Sequence, residues 1–226
     1  MSTRLRFFVI LLGALLVAAT YSFPLWQPFL LRGEGEEGFP GLVENLQEAY
    51  LALPAATRRL YLQMNNQNPL MAQAVLTAAL SPDEAPPEEA QALPPEAETA
   101  RVVRSGEFIT LDLTELDVEE EDIPPYRDLF RAEGEFNIYE LADGRRLLRL
   151  ENLRVTNGPN LHVYLSPNPA PLTFADLGFY YDVGQLQGNV GNQNYEIPAS
   201  LNLAEYQSIV IVELSYQFIY GVAVQQ

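Results

Sequence analysis

Histidine occurs once in the 226-residue chain, at His162, and it is the first side chain to consider for metal or haem chemistry. Around it, Leu161, Val163 and Leu165 alternate with more polar residues, which is typical of a strand with one buried face. A haem or zinc site would need further ligands at a recognisable spacing, and the sequence offers none. The pattern therefore favours a partly exposed strand residue, and it predicts no metal ligand and no catalytic residue.

The densest group of possible oxygen ligands is an acidic run between residues 115 and 122. Its members are Glu115, Asp117, Glu119, Glu120, Glu121 and Asp122. Flexible oxygen clusters attract Ca²⁺, but this run lacks the spacing of a calcium-binding loop, and acidic runs are usually solvated. The chain has 30 acidic residues, so some paired carboxylates are inevitable and give no evidence for glycoside hydrolysis.

Tyrosines are frequent in the second half of the chain. They include Tyr180, Tyr181, Tyr195, Tyr216 and Tyr220. An aromatic patch of this kind could bind a sugar or a surface protein, whereas alternate aromatic residues on strands more commonly pack in a core. The sequence favours the core, with the two surface roles as alternatives.

Residue types that are missing exclude several mechanisms. The chain has no cysteine, and all 13 of its basic residues are arginine. Disulfides, thiolate catalysis and Schiff-base chemistry on lysine are therefore impossible, and a single histidine without a local motif gives no support for a catalytic triad. The formal net charge of -17 repels nucleic-acid phosphates and anionic lipid headgroups, so nucleic acid is not a predicted partner.

The amino terminus predicts a membrane segment. Arg4 and Arg6 precede an uncharged, largely apolar stretch of residues 7–31. We therefore assign residues 1–31 to a membrane anchor or signal segment, and we expect the chain to contact the membrane through residues 7–31. Because the arginines precede the stretch, the positive-inside rule places residues 39–226 outside the cytoplasm.

Two features bear on whether this segment is cleaved. Val17 and Ala19 form a small-residue pattern that a signal peptidase could recognise. Tyr21, Phe23 and Trp26 form an aromatic cluster typical of a membrane interface. The sequence favours an uncleaved, single-pass anchor, and the alternative is secretion after signal cleavage.

Residues 39–80 are predicted to form a small helical segment. Pro40, Pro54 and Pro69 each suit the first turn of a helix, where a missing N–H group costs little. Apolar residues recur at helical spacing, so two or three short amphipathic helices should pack against one another.

Residues 81–99 contain five prolines and six acidic residues. This composition favours an extended linker that holds the following domain away from the membrane. Residues 101–226 should then fold alone.

From Arg101 onward the hydrophobic pattern is that of strands. Ala142-Asp143-Gly144-Arg145 is a hairpin turn signal between two apolar runs, and Asn157-Gly158-Pro159 marks another turn. Ile209-Val210-Ile211-Val212 is apolar on both faces, which predicts a central strand. Several short strands divided by such turns predict a mainly β domain over residues 101–226, an antiparallel β-sandwich of jelly-roll or immunoglobulin type.

Three stretches of this β region carry a family resemblance. They are Ser105-Gly106-Glu107-Phe108, Asn157 to Ser166, and the glycine-spaced run from Gly184 to Pro198. They make residues 101–226 similar to the DM-thirteen domain, a small extracytoplasmic β-sandwich family proposed to transfer electrons through a cysteine. The motif residues are Gly106, Asn157, Gly158, Pro159, Tyr164, Gly188, Gly191 and Tyr195.

The resemblance implies a site at Glu213. In the family the expected cysteine precedes an aromatic residue by three positions, and counting back from Tyr216 gives Glu213. A carboxylate cannot cycle between a thiol and its oxidised forms, so cysteine-based electron transfer is chemically impossible here. Glu213 is therefore a candidate remnant of the family's active position, and the alternative is a strand-end acid in water.

Together these features predict a membrane-anchored, extracytoplasmic protein that acts in non-enzymatic binding or cell-surface interaction. The alternative is an electron-transfer component that uses a bound cofactor in place of the cysteine, as haem-binding relatives of the family would allow. No particular cofactor is predicted. The expected partner is the membrane, with a surface protein or a sugar as further alternatives.

Overall fold

The computed structural model describes residues 38–110 and 124–225. Helices come first in the described chain. They are α1 (Glu44–Ala52), α2 (Ala55–Gln67), α3 (Pro69–Ala79) and two one-turn helices, α4 (Glu88–Gln91) and α5 (Pro95–Glu98).

Local sequence accounts for the starts of the longer helices. Pro54 immediately precedes α2, and Pro69 is the first residue of α3. The Asn68 side chain caps α3 by accepting a hydrogen bond from the Met71 backbone N–H at 3.1 Å. Pro54 and Pro69 therefore mark helix starts as predicted, whereas the prediction for Pro40 is wrong, because Pro40 lies in a turn and α1 begins at Glu44. The proposed domain boundaries stay a prediction.

Within residues 101–110 and 124–225, eight strands follow the helices. They are β1 (Arg101–Ile109), β2 (Ala132–Glu140), β3 (Arg146–Val155), β4 (Leu161–Ser166), β5 (Tyr181–Gln185), β6 (Val190–Ile197), β7 (Ser208–Glu213) and β8 (Phe218–Gln225). Short 3₁₀ turns occur at Arg127–Leu129, Phe174–Leu177 and Leu203–Glu205.

The strands form a single antiparallel sheet with the order β5-β4-β7-β8-β1-β2-β3-β6. The prediction of a mainly antiparallel β fold is confirmed. One sheet replaces the two of the predicted sandwich, because β8 is hydrogen bonded to β7 on one side and to β1 on the other. The edge strands also approach each other: the Tyr195 hydroxyl oxygen on β6 lies 3.3 Å from the Gln185 carbonyl oxygen on β5. The sheet is therefore nearly closed and barrel-like.

Apolar side chains cover both faces of this sheet. The larger cluster joins the inner face to the helices, and it includes Tyr50, Met64, Val75, Leu148 and Ile211. The smaller cluster lies on the outer face, and it includes Tyr164, Leu177, Val210, Val212 and Val222. Helices and sheet thus share one core, so a chain lacking the helices would expose part of it to water.

Residues 83–92, which we call the acidic strap, pack along β6. The Glu84 N–H donates to the Asn189 side-chain oxygen at 2.7 Å, and the Asn189 amide donates to Asp83 at 2.8 Å. Asp83 also pairs with Arg154 at 2.9 Å. The Asn189 hydrogen bond, with a smaller contribution from Arg154, holds the pKa of Asp83 below its usual range. The composition predicts an extended spacer here, whereas polar side chains of the sheet bind this segment.

Two of the family-like glycines are explained by this contact. A Cβ added at Gly188 would lie 2.5 Å from the Glu84 carbonyl oxygen and 2.9 Å from the Pro86 ring. At Gly191, where φ is 93°, a Cβ would lie 2.8 Å from the Gln91 side chain. Glycine is needed at both positions because the strap approaches the backbone of the β5–β6 connection and β6 so closely.

None of the helices within the two described ranges has the length and apolar composition needed to cross a membrane. The predicted anchor at residues 1–31 lies outside the described residues. The acidic run at residues 115–122 also lies outside them, between the described ranges.

The strap contact can be tested by adding a methyl group beneath it. Gly188→Ala should lower the free energy of unfolding by about 2 kcal/mol, because the new Cβ would displace the strap or distort β6. Gly144→Ala is the control, since its Cβ would meet no atom within 4 Å and only the φ of 84° would be strained. Urea denaturation followed by circular dichroism measures both variants. If Gly188→Ala were as stable as the wild-type protein, the close packing of the acidic strap against Gly188 would be contradicted.

Candidate functional site

Glu213 is the last residue of β7, and its side chain is fully buried, with 0% exposed. One carboxylate oxygen accepts a hydrogen bond from the Ser215 N–H at 3.2 Å, and the other accepts one from the Tyr216 N–H at 2.7 Å. The alternative of a strand-end acid in water is therefore wrong. Glu213 stabilises the turn between β7 and β8, in which Gln217 adopts a left-handed φ of 61°.

A family-like turn lies beside Glu213. Leu161, just after Asn157-Gly158-Pro159, is the strand partner of Glu213 across β4 and β7. A Cβ at Gly158 would lie 3.0 Å from the hydroxyl oxygen of Tyr220, so glycine permits the turn to pack against that ring. The fold thus brings this stretch and the proposed family position together, although they are far apart in the sequence.

An aromatic stack continues from Tyr220. Its ring lies parallel to Phe130, with centroids 4.2 Å apart. Phe130 in turn contacts Phe218 at 5.2 Å, and Phe218 meets Tyr126 edge to face at 6.2 Å. We call Tyr126, Phe130, Phe218 and Tyr220 the aromatic wall. The wall links the start of β8, next to Glu213, with the segment that precedes β2.

The aromatic wall lines one side of a cleft of about 720 Å³. Aliphatic residues form another part of the lining: Pro171, Leu172, Ile219 and Val222. Exposed charged residues also contribute: Asp128, Arg131 and Glu133. Thr110 and Pro124, which flank the undescribed residues 111–123, lie at its border. The volume is within the range of small-molecule sites in proteins, and so is the mixture of aromatic and polar lining.

The tyrosines around this site are neutral at physiological pH. Burial raises the pKa of Tyr61 to about 12, and burial also raises the pKa of Tyr126. The pKa of Tyr220 is raised well above its usual value, mainly by burial and further by Tyr61 and Glu213. Within the described residues, the hydroxyls of Tyr126 and Tyr220 are buried and have no hydrogen-bond partner. The aromatic wall is therefore uncharged, and its Tyr126, Phe130 and Tyr220 rings are almost fully buried.

His162 lies elsewhere, on the outer face of β4. Its Nδ1 is 3.0 Å from a carboxylate oxygen of Asp182 on β5, and its ring meets Tyr164 edge to face at 6.3 Å. The side chain is only partly exposed, as the strand pattern predicts. Within the described residues, no group of three or more histidine, cysteine, aspartate or glutamate side chains converges on a possible metal position.

Tyr195 belongs to a polar network at the β5–β6 connection. Its hydroxyl donates to the Gln193 side-chain oxygen at 2.7 Å, and the same oxygen accepts the Gln187 N–H at 2.9 Å. Gln193 is fully buried. This network lies beside Gly188 and the strap, so the glycine-spaced run holds a loop and contributes nothing to the cleft.

Gly106 and Tyr164 are also apart from the cleft. Gly106 lies in β1, where a Cβ would overlap the Val224 carbonyl oxygen of β8 and the Phe136 ring of β2. Tyr164 packs on the outer face of the sheet. Of the predicted motif residues, only the turn at residues 157–159 lies beside both Glu213 and the aromatic wall.

Sequence reasoning missed most of the aromatic wall. Tyr220 was recognisable among the strand tyrosines, but Tyr126, Phe130 and Phe218 carry no motif. Pro124-Pro125 before Tyr126 could have signalled a fixed turn ahead of β2. No local pattern pairs that turn with β8, because the contact is formed between distant parts of the chain.

The nearly closed sheet, with the cleft beside it, characterises a small antiparallel β domain. Residues 129–224 match a protein-family model described as Electron transfer DM13. This match supports the resemblance of the β domain to the DM-thirteen domain and covers a little under half of the chain. The matched span includes Glu213 and the motif residues from Asn157 onward, whereas Gly106 precedes it. Comparison with curated proteins and with solved structures found no match.

Replacing Glu213 tests its role in the turn. Glu213→Gln should lower the free energy of unfolding by about 2 kcal/mol, because one acceptor oxygen becomes an NH₂ group that faces a backbone N–H. Glu107→Gln, an exposed change of the same chemistry, should have little effect. Urea denaturation compares the two variants. Equal stability of both would show that the carboxylate does not support the turn.

The two buried tyrosines offer a second test. Tyr220→Phe removes a hydroxyl that has no partner within the described residues, so stability should stay constant or rise by about 1 kcal/mol. Tyr195→Phe removes the bond to Gln193 and should lower stability by about 1 kcal/mol. Thermal melting followed at the same protein concentration measures both. A similar loss in the two variants would mean that the Tyr220 hydroxyl is hydrogen bonded.

Proposed function

We propose that this protein is a non-enzymatic binding module whose ligand occupies the cleft beside the aromatic wall. The observation that best supports this proposal is the position of the cleft. Phe218 and Tyr220, near the start of β8, line the cleft, and β8 begins immediately after the turn that Glu213 stabilises. Glu213 itself does not line the cleft, but it precedes in the chain the β8 residues that do. Glu213 has a structural role there, because its carboxylate stabilises the turn between β7 and β8.

The state of Glu213 argues against electron transfer through the protein's own side chain at this position. Unlike a cysteine thiol, a glutamate carboxylate cannot be oxidised reversibly. Both oxygens of the Glu213 carboxylate accept hydrogen bonds from backbone N–H groups. Freeing it for another reaction would break two part-buried hydrogen bonds to backbone N–H groups, at a cost of about 1 kcal/mol each. Glu213 is therefore suited to stabilising the turn that precedes Phe218 and Tyr220 of the aromatic wall.

The lining indicates the class of ligand. The lining combines aromatic and aliphatic side chains, with Phe218 as the most exposed of the four rings, and this combination favours a flat or apolar group. The exposed Asp128, Arg131 and Glu133 would contact the more polar end of such a molecule. We infer a small amphipathic organic ligand that places its apolar part against Phe130 and Phe218.

A second candidate function is electron transfer by a bound organic cofactor. The description of the matched family, Electron transfer DM13, favours it. The described lining contains no histidine, cysteine or methionine, so the common side-chain ligands of haem iron are missing from it. A flat organic group fits the aromatic wall better than haem does. A visible absorption band in protein purified from its native membrane would support this candidate, and colourless protein would support the binding module.

We further propose that the chain is anchored by residues 7–31 and that residues 39–226 lie outside the cytoplasm. The support is the pair Arg4 and Arg6 before the apolar stretch. Protease added to intact spheroplasts should digest residues 39–226, whereas a cytoplasmic control protein should survive. Protection of the chain under those conditions would overturn the proposed topology.

The cleft itself can be tested with the dye anilinonaphthalene sulfonate as a probe. We expect native protein to bind it at a single saturable site and Leu172→Trp, which fills the cleft, to weaken binding about tenfold. Leu70→Trp is the matched control, because Leu70 is 76% exposed on α3, away from the cleft lining. Fluorescence titration with circular dichroism as a fold check measures the three proteins. Equal binding by wild type and Leu172→Trp would overturn the proposal.

A further inference from the structure

A second aromatic surface lies on the outer face of the sheet, apart from the cleft. Tyr180 stacks on Tyr164 with ring centroids 4.7 Å apart and an interplanar angle of 5°. Phe174 packs edge to face against both rings, at 5.5 and 6.3 Å. Phe179, the residue before Tyr180 in the chain, is 94% exposed. We call Phe179 and Tyr180, supported by Tyr164 and Phe174, the aromatic shelf.

The shelf is supported by a well-bonded connection between β4 and β5. Thr173 and Asp176 form a reciprocal capping box at the 3₁₀ turn. The buried Ser166 hydroxyl donates to the Leu177 carbonyl at 2.9 Å, and the Asn168 side chain donates to the Asp176 carbonyl at 3.0 Å. Two exposed aromatic rings therefore project from a backbone that is already ordered, which lowers the entropic cost of binding a partner.

A polar pair borders the shelf. Asp182 is the strand partner of Tyr164, and its carboxylate lies 3.0 and 3.2 Å from Nδ1 of His162. The Asp182 side chain is still 39% exposed, so lone pairs of its carboxylate remain accessible to a ligand. The His162 contact orients this carboxylate next to the stacked rings. An aromatic platform thus stands beside a fixed hydrogen-bond acceptor.

We propose that the aromatic shelf and Asp182 form a binding site for a neutral glycan. A pyranose ring has one apolar C–H face, which can cover Tyr180 or Phe179, and hydroxyl groups at its edge, which can donate to the Asp182 carboxylate. This combination matches the surface, where the aromatic rings provide apolar contact and the Asp182 carboxylate accepts hydrogen bonds beside them. None of the four shelf rings lines the cleft, although Thr173 of the supporting turn does, and the site goes beyond the proposed function.

Other partners fit the same surface less well. A protein partner would bury the Asp182 carboxylate close to the centre of the contact, where charged residues are depleted in protein interfaces. An anionic lipid surface would be repelled by this carboxylate and by the formal net charge of -17. A neutral glycan would keep its polar edge in water and hydrogen bond to the carboxylate.

Calorimetry on the full chain tests the proposal, with cellohexaose, mannohexaose and chitohexaose as separate probes. The detergent must have no sugar headgroup, because such a headgroup would compete. We expect at least one probe to bind in the micromolar to millimolar range. Phe179→Ala and Tyr180→Ala should each weaken that binding about tenfold, and Asp182→Asn about threefold or more, whereas Tyr180→Phe should keep it.

Leu70→Ala is the matched control, since it removes an apolar side chain that is 76% exposed on a helix, and it should bind like wild type. Phe179 is almost fully exposed, so Phe179→Ala should fold normally, and circular dichroism checks this. Absence of binding by all three probes would overturn the proposal. Binding that is unchanged in Phe179→Ala and Tyr180→Ala would overturn it as well. Phe179-dependent self-association or binding to lipid vesicles, without glycan binding, would assign the surface to those partners instead.

Discussion

The fold depends on the hydrogen bonding of β8, which joins the two parts of the sheet. On one side β8 pairs with β7 from Ser208↔Val224 to Glu213↔Phe218, and on the other side it pairs with β1 from Gly106↔Gln225 to Ile109↔Val222. Without these two ladders, β5-β4-β7 and β1-β2-β3-β6 would be separate sheets. Because they are joined, the sheet curls around one inner core, and the edge strands nearly meet.

The position of β8 also determines the candidate site. Its first residues supply Phe218 and Tyr220 to the aromatic wall, and its register is set by the four-residue connection after Glu213. A buried carboxylate is costly unless it is well paired, and here two backbone N–H groups bind it. Its burial therefore has a structural reason. The same bonds that hold the turn also place the aromatic residues of β8 against Phe130.

Close backbone approach is a second recurring constraint. Gly106 allows β1 to pass between β2 and β8, Gly158 allows the β3–β4 turn to cover Tyr220, and Gly188 allows the strap to pack near β6. Each glycine lies where two segments distant in sequence contact each other. The family-like pattern thus reflects packing at three separate places, and only the place at Gly158 adjoins the cleft. A shared motif can describe a fold in this way without assembling one active site.

The sequence by itself determined two kinds of feature: those set by composition and those set by residues that are close together in the chain. The lack of cysteine excludes thiol chemistry, because no arrangement in space can restore a missing sulfur. Pro54, Pro69 and the apolar spacing located the longer helices, and the turn signal at residues 142–145 located the β2–β3 hairpin, because these depend on neighbours in the chain. The tertiary structure alone decided that one sheet forms, that Glu213 is buried, and that the Pro-rich segment binds the sheet. The reason is distance along the chain: the bond from Asn189 to Asp83 spans 106 residues. Strand periodicity shows which side chains are buried, but it does not show which strands pair or which faces meet.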